Sequence, residues 1–262
     1  MSVRAVARSR EVRAEIPLIL SQRRDTLPAR LPPASVRSRL GEALVLISCW
    51  SAKGGVGTTV VAAALSVVLA RSSPSGALLA DLAGDAPAVL GLPDPGDPGL
   101  AGWLRAGADV AADALARLEL DVGNGLRLLP SGSDHIAGPS DRGEVLAALL
   151  AADGRPVVAD CGRLDRGEAA VALAASATHS LLVTRACYLA LRRATTAPVR
   201  PSGVVLLREP GRALGRVDVE QVVGAPVRAE IAVDPAIARA VDAGVLCARL
   251  PRGLERALRH AA

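Results

Sequence analysis

Three consecutive stretches constrain the fold more than any other part of the chain: Val45-Leu46-Ile47, then Ser51-Ala52-Lys53-Gly54-Gly55-Val56-Gly57-Thr58-Thr59, then Val60-Val61-Ala62-Ala63-Ala64-Leu65. They read as a short buried strand, a glycine-rich turn and an apolar helix running to about Arg71. In that order, successive backbone N–H groups and the positive end of the helix converge on one point, where an anion fits. Lys53 sharpens the reading, because it is the single lysine among 31 basic residues. An ammonium on a thin stem enters a phosphate cradle where a planar guanidinium is too wide. Lys53 is therefore a candidate phosphate ligand, against the plainer alternative of a glycine turn that holds nothing.

The pattern G-x-x-x-x-G-K-[ST] places a lysine on the β/γ-phosphates and a hydroxyl on Mg²⁺. Here the match is partial. Thr58 occupies the lysine's place, while Thr59 keeps the hydroxyl position. Pro156-Val157-Val158-Ala159-Asp160 is a second apolar strand ending in a carboxylate, the pattern that holds Mg²⁺ directly or through water. Cys161 follows it and reads as a small packing residue, since no histidine is near it in sequence.

The loop K-G-G-x-G-T-T with its early lysine resembles the deviant Walker A loop of the ParA/MinD family of dimerising P-loop ATPases. Within that family it looks like the branch of TadZ/CpaE-like and septum-site-determining-like proteins. The resemblance covers about residues 43 to 246 and implies several roles. Lys53 would reach across a nucleotide-sandwich dimer to the partner's ATP. The loop residues Lys53, Gly54, Gly55, Val56, Gly57, Thr58 and Thr59 would hold the phosphates, and Thr59, Asp81 and Asp160 would hold Mg²⁺. Asp81 closes Gly76-Ala77-Leu78-Leu79-Ala80-Asp81, which resembles the family's strand followed by D-x-D, so that Asp81 joins Lys53 as a catalytic candidate. Ala83 stands where the second, water-positioning Asp would be; Asp85 would substitute only in a rearranged loop. Cys161-Gly162 replaces the family's proline-containing switch turn. The strand Gly203 to Leu207 ends in Leu207-Arg208 where the family has an adenine-binding Asn, and Arg208 is the candidate base contact, against a solvated role.

Composition bounds the rest. With 262 residues, half of them hydrophobic, one α/β domain with a large core is expected. Zero Phe, one Tyr and two Trp leave Ala, Val and Leu to build that core, and make a base-stacking nucleic-acid surface an unfavoured partner. Cys49, Cys161, Cys187 and Cys247 lack zinc or disulfide spacing, and the chain shows neither a leader-like run nor a stretch of 18 apolar residues. A cytoplasmic location, with the membrane surface as a peripheral alternative, is expected. His135, His179 and His260 are scattered and read as structural or solvated.

The first 42 residues hold nine Arg against four acids, so all the formal net charge of +5 lies there. Prolines 17, 28, 32 and 33 break any helix in this arm, which is expected to be extended and able to touch anionic membrane or nucleic acid weakly, or to be merely solvated. The expected organisation is a basic arm over 1–42, a nucleotide-binding domain over 43–250 and a short C-terminal helix over 251–262. Between Asp85 and Gly125, dense Pro and Gly predict a loop with short helices near Trp103 and over 113–118, facing the ligand crevice. Trp103 is expected to pack on the domain, with a partner anchor as the alternative.

The expectation is a single doubly wound, mostly parallel α/β domain with strands near 44, 77, 126, 156, 180, 203 and 227. It should bind ATP with Mg²⁺, form a homodimer around it and hydrolyse it slowly or not at all. It would serve as a localisation factor for a septum, pilus or secretion apparatus, with a division, pilus or secretion protein as partner. The rival readings are an active partition ATPase cycling on DNA or membrane, and a nucleotide-free interaction module.

Overall fold

The computed structural model describes residues 45–106, 113–133, 136, 138–165 and 167–261. The basic arm over 1–42 and His135 lie outside the described residues. Eight strands form one sheet: β1 (Leu46–Ser51), β2 (Ala77–Asp81), β3 (Leu120–Gly123), β4 (Leu126–Leu129), β5 (Val157–Arg163), β6 (His179–Arg185), β7 (Gly203–Arg208) and β8 (Val227–Ala232). Their spatial order is β3-β4-β2-β5-β1-β6-β7-β8, and every neighbouring pair is parallel except β3 with β4. All seven expected strands are present. The extra one, β3, turns back through Asn124-Gly125, both in the left-handed region (φ 53° and 76°), as two-residue hairpins require.

Strands β1, β2 and β5 are buried along their whole apolar runs because helices cover both faces of the sheet. Along β1, Leu46 and Trp50 face one core and Ile47 and Cys49 the other. The second core is closed by α1 (Thr58–Ser72), whose Ala62-Ala63-Ala64-Leu65 run lies flat on the sheet. With no large aromatic on this face, small side chains let helix and sheet approach closely. Helices α2 (Ala86–Leu90), α9 (Pro235–Asp242) and α10 (Arg252–Leu258) complete that layer. In α10, Leu254 and Leu258 are buried in the second core, so the expected C-terminal helix packs on the domain beside α1 and β8.

The first core carries α3 (Leu100–Arg105), α4 (Ala114–Arg117), α5 (Ser140–Ala151), α6 (Glu168–Ser176), α7 (Tyr188–Thr195) and α8 (Arg216–Val223). Trp103 is buried here, with the Arg142 guanidinium 4.1 Å above its ring, so it is a packing residue rather than an exposed anchor. Trp50 is also buried, and its indole Nε1 donates to Ser180 Oγ at 2.9 Å. Among the described residues no helix is long and apolar enough to cross a membrane.

Strand β1 lies between β5 and β6, so the chain leaves it toward β2 on one side and reaches β6 only later on the other. This switch point opens a crevice at the carboxyl ends of the strands. The glycine loop follows β1 directly into it.

Candidate functional site

Gly55 and Gly57 adopt φ values of 72° and 82°, and α1 begins at Thr58 without a side-chain cap. The first intrahelical bond runs from Val61 N to Gly57 O at 3.0 Å, which leaves the N–H groups ahead of it unpaired within the helix. The sequence 54–60 thus forms an anion nest at a helix N-terminus. It lines one wall of a cleft of 1420 Å³, ample for a nucleotide. The other walls are Leu82 to Asp85, the loop around Asp94 and Pro95, Ser131 to Ser133, Cys161 to Arg163, and Val241-Asp242 of α9. The Pro/Gly-rich connection after β2 therefore does face the crevice.

The carboxyl ends of β2 and β5 carry the two carboxylates side by side, with Asp81 and Asp160 as register partners. Both are fully buried beneath the cleft. Asp160 Oδ1 accepts from Gly162 N at 3.0 Å, whereas its Oδ2 is buried with no hydrogen-bond partner. Burial pushes the Asp160 carboxyl up to about 7 and the neighbouring Asp81 adds to the rise, while the Thr59 hydroxyl opposes it. Asp81 is pushed up to about 6 by burial, against three opposing backbone N–H bonds. Its Oδ1 accepts from Ala83 N (2.9 Å) and Gly84 N (2.8 Å), and its Oδ2 from Ala86 N (3.1 Å). Asp81 is thus engaged in shaping the turn into α2, while Asp160 keeps an unused lone-pair face.

An orphaned, buried carboxylate oxygen beside Thr59 and a second carboxylate fits a Mg²⁺ ion or its water shell. Among the described residues no three His, Cys, Asp or Glu side chains are grouped to hold a metal unaided. A cation here would take Asp160 and Thr59 from the protein and oxygens from a phosphate ligand.

The remaining expected residues separate. Lys53 is half-buried, lines no part of its own cleft, and makes no hydrogen bond or ion pair with any described residue. Val56 buries its side chain in the second core, so it offers backbone alone. Thr58 is buried at the head of α1, uncharged where the phosphate lysine would stand. Ala83 faces the cleft beside Gly162, whose φ is 57°. Cys161 is buried and its thiol is pushed well up by burial, which makes it an inert packing group. Arg208 is not brought to the cleft: it pairs with Glu230 at 3.2 Å on the exposed end of β7. Leu207 points the other way and approaches Gly57, where a Cβ would meet its Cδ2 at 3.5 Å.

Two arginines at strand ends were missed. Arg185, at the end of β6, donates from Nη2 to the Gly55 carbonyl at 2.7 Å and from Nη1 to Glu209 at 2.6 Å, clamping the loop from the far side. Arg163, at the end of β5, lines the cleft. The available signal was an arginine closing the segments of β5 and β6, the position that opens onto the crevice.

No protein-family model matches the chain, and no curated protein sequence matches it. Solved structures do. A ParA family ATPase from Chlorobium tepidum superposes with a TM-score of 0.66 at 19% identity, over 82% of this chain and 96% of the other. The septum site-determining protein MinD of Pyrococcus horikoshii, complexed with Mg-ADP, gives 0.67 at 22% identity, over 83% and 93%. An ATP complex of a McdA variant from Cyanothece gives 0.63 at 18% identity, over 84% and 97%. The strand order, the loop after β1 and the paired strand-end carboxylates are thus set in the α/β P-loop NTPase fold that these ParA and MinD structures share.

Proposed function

We propose that the protein binds Mg-ATP in the 54–60 nest, dimerises around it, and acts as a ParA/MinD-like positioning factor that hydrolyses the nucleotide slowly or not at all. The observation that carries this reading is the coexistence of a formed phosphate nest with the orphaned Asp160 Oδ2 beneath it. A bound Mg²⁺ would supply charge neutralisation between carboxylate and phosphates. The chain's own residues do the rest: the backbone N–H groups cradle the phosphates, Thr59 and Asp160 hold the cation, and Arg185 fixes the loop at Gly55. Lys53, which makes no hydrogen bond or ion pair with any described residue, is free to reach a phosphate held by a second copy.

Slow turnover follows from two losses. Thr58 brings no charge to the phosphates, and Ala83 brings no carboxylate to orient water. The McdA, ParA and MinD relatives in fold make an intracellular positioning role, at a division site, pilus or secretion apparatus, the biological reading we favour. Calorimetry at millimolar Mg-ATP tests binding, and light scattering with and without ATP tests dimerisation. Micromolar affinity and an ATP-dependent dimer, abolished in Lys53→Ala and also in Lys53→Arg, support the proposal. No heat and no thermal shift would sink it in favour of a nucleotide-free interaction module. Brisk turnover lost in Asp160→Ala would replace it with an active positioning ATPase.

A further inference from the structure

Strand β5 does not run straight past the carboxylate. Its register against β1 shifts between Cys49↔Asp160 and Trp50↔Gly162, so Cys161 is an extra residue in the strand. Such a bulge re-aims the side chains after it. Gly162 then takes φ 57°, a left-handed conformation that favours glycine. The turn is held from β1: Ser51 Oγ donates to Gly162 O at 3.3 Å, and Leu164 N donates to Ser51 O at 3.4 Å. Arg163 is thereby fixed opposite Ser51, the first residue of the glycine loop.

Its guanidinium lies over that loop. A Cβ built on Gly54 would be 3.8 Å from Arg163 Nη1. Nε is bonded to Asp165, while neither Nη makes a hydrogen bond to any described residue. The Asp165 side chain is 60% exposed, so its pairing with Arg163 is a weak surface ion pair that a phosphate can replace. We propose that Arg163 is a nucleotide-binding residue that contacts the terminal phosphate and supplies the cation absent at Thr58. Resting on the Mg-ATP reading above, the assignment to the terminal phosphate follows from position. Thr59 and Asp160 mark the metal end, where β- and γ-oxygens meet the cation. Arg163 lies three residues beyond Asp160 and pairs in register with Ser51 at the start of the loop, which sets it at this end of the cleft. Arginine suits the task, since its fork engages two phosphate oxygens at once.

The test is calorimetric titration of the full chain with Mg-ATP and, separately, Mg-ADP. Arg163→Ala should weaken ATP about tenfold or more, the size of a lost charge-assisted contact at a partly exposed site, and ADP by less than about threefold. Arg163→Lys should recover part of the ATP affinity. Asp165→Asn, which frees the guanidinium, should hold or tighten it. Arg192→Ala, an exposed arginine of α7 remote from the cleft, should change neither nucleotide, and apo unfolding should be unaltered in all four. Equal losses for ATP and ADP in Arg163→Ala, or no loss, would overturn the assignment while leaving the Mg-ATP reading intact. A wild-type protein that binds neither nucleotide would overturn both.

Discussion

Asp160→Asn should make the protein more stable at pH 8 without nucleotide, even though it removes the residue best placed to hold Mg²⁺. Both members of the buried pair have carboxyls raised above their ordinary value of 3.8, Asp160 to about 7 and Asp81 to about 6. A carboxyl whose folded pKa exceeds its unfolded one binds more protons in the native state. Stability is therefore highest in acid for these groups and falls as pH rises from the unfolded toward the folded pKa. From pH 5 to pH 8 the pair therefore loses a few kcal/mol, at about 1.4 kcal/mol per unit of pH within each window. Asn at 160 can still accept from Gly162 N, but it carries no charge and removes the repulsion on Asp81. Most of that loss should disappear, so the variant should gain about 2–4 kcal/mol over wild type at pH 8 and about half as much at pH 5. Urea unfolding of both proteins at the two pH values, in EDTA, reads this directly. A variant no more stable at pH 8, or one whose gain is the same at both, would show that the pair is not a charged, destabilised site.

Three other outcomes test separate parts of the structure. Gly91→Ala would bring a Cβ to 2.2 Å from the Gly244 carbonyl oxygen at φ 73°, so the seat of α9 on α2 should fail at about 2–4 kcal/mol, read from the urea midpoint. Ser180→Ala strands the buried Trp50 N–H and should cost about 1–3 kcal/mol, with no change in nucleotide affinity by calorimetry. Thr58→Lys with Ala83→Asp should raise ATP turnover above either single change, because both losses act on one transition state and need not add; phosphate release measures it.

Much of the site was legible because its physics is local. A strand, a glycine turn and an apolar helix can hardly be arranged otherwise, and Asp81 and Asp160 each announce themselves as the first charge after an apolar run. Strand β3 was not expected because Leu120 to Gly123 is four residues long and only half-buried, although Asn124-Gly125 after it was a hairpin signal. Arg163 and Arg185 were missed for a different reason. Their roles depend on a bulge and on a partner 130 residues away, neither of which a linear pattern encodes. Arg208 differs again: its position in the chain suggested a base contact or a solvated role, and it pairs with Glu230 on the adjacent strand, outside the cleft lining. Asp81 ends its strand as expected, yet its three backbone bonds show a turn-forming task that the motif alone did not reveal.

On the proposed reading, the site divides into a part that binds a ground state and a part that would stabilise a transition state, and only the first is equipped. The nest, Thr59 and the unpartnered Asp160 oxygen contact groups that are charged before any reaction, so they favour bound Mg-nucleotide and transition state alike. Such uniform binding does not speed chemistry. The groups that would act where charge develops or water attacks are Thr58 and Ala83, one uncharged and the other without a polar atom. Arg163 can restore a cation at the terminal phosphate, but it is partly exposed and bonded to Asp165, so it acts through a more polar medium than a lysine within the loop would. The expected behaviour is a long-lived bound nucleotide. On the proposed reading Lys53 then meets the nucleotide of a second protomer, so nucleotide occupancy, rather than its hydrolysis, would set how much of the protein is dimeric.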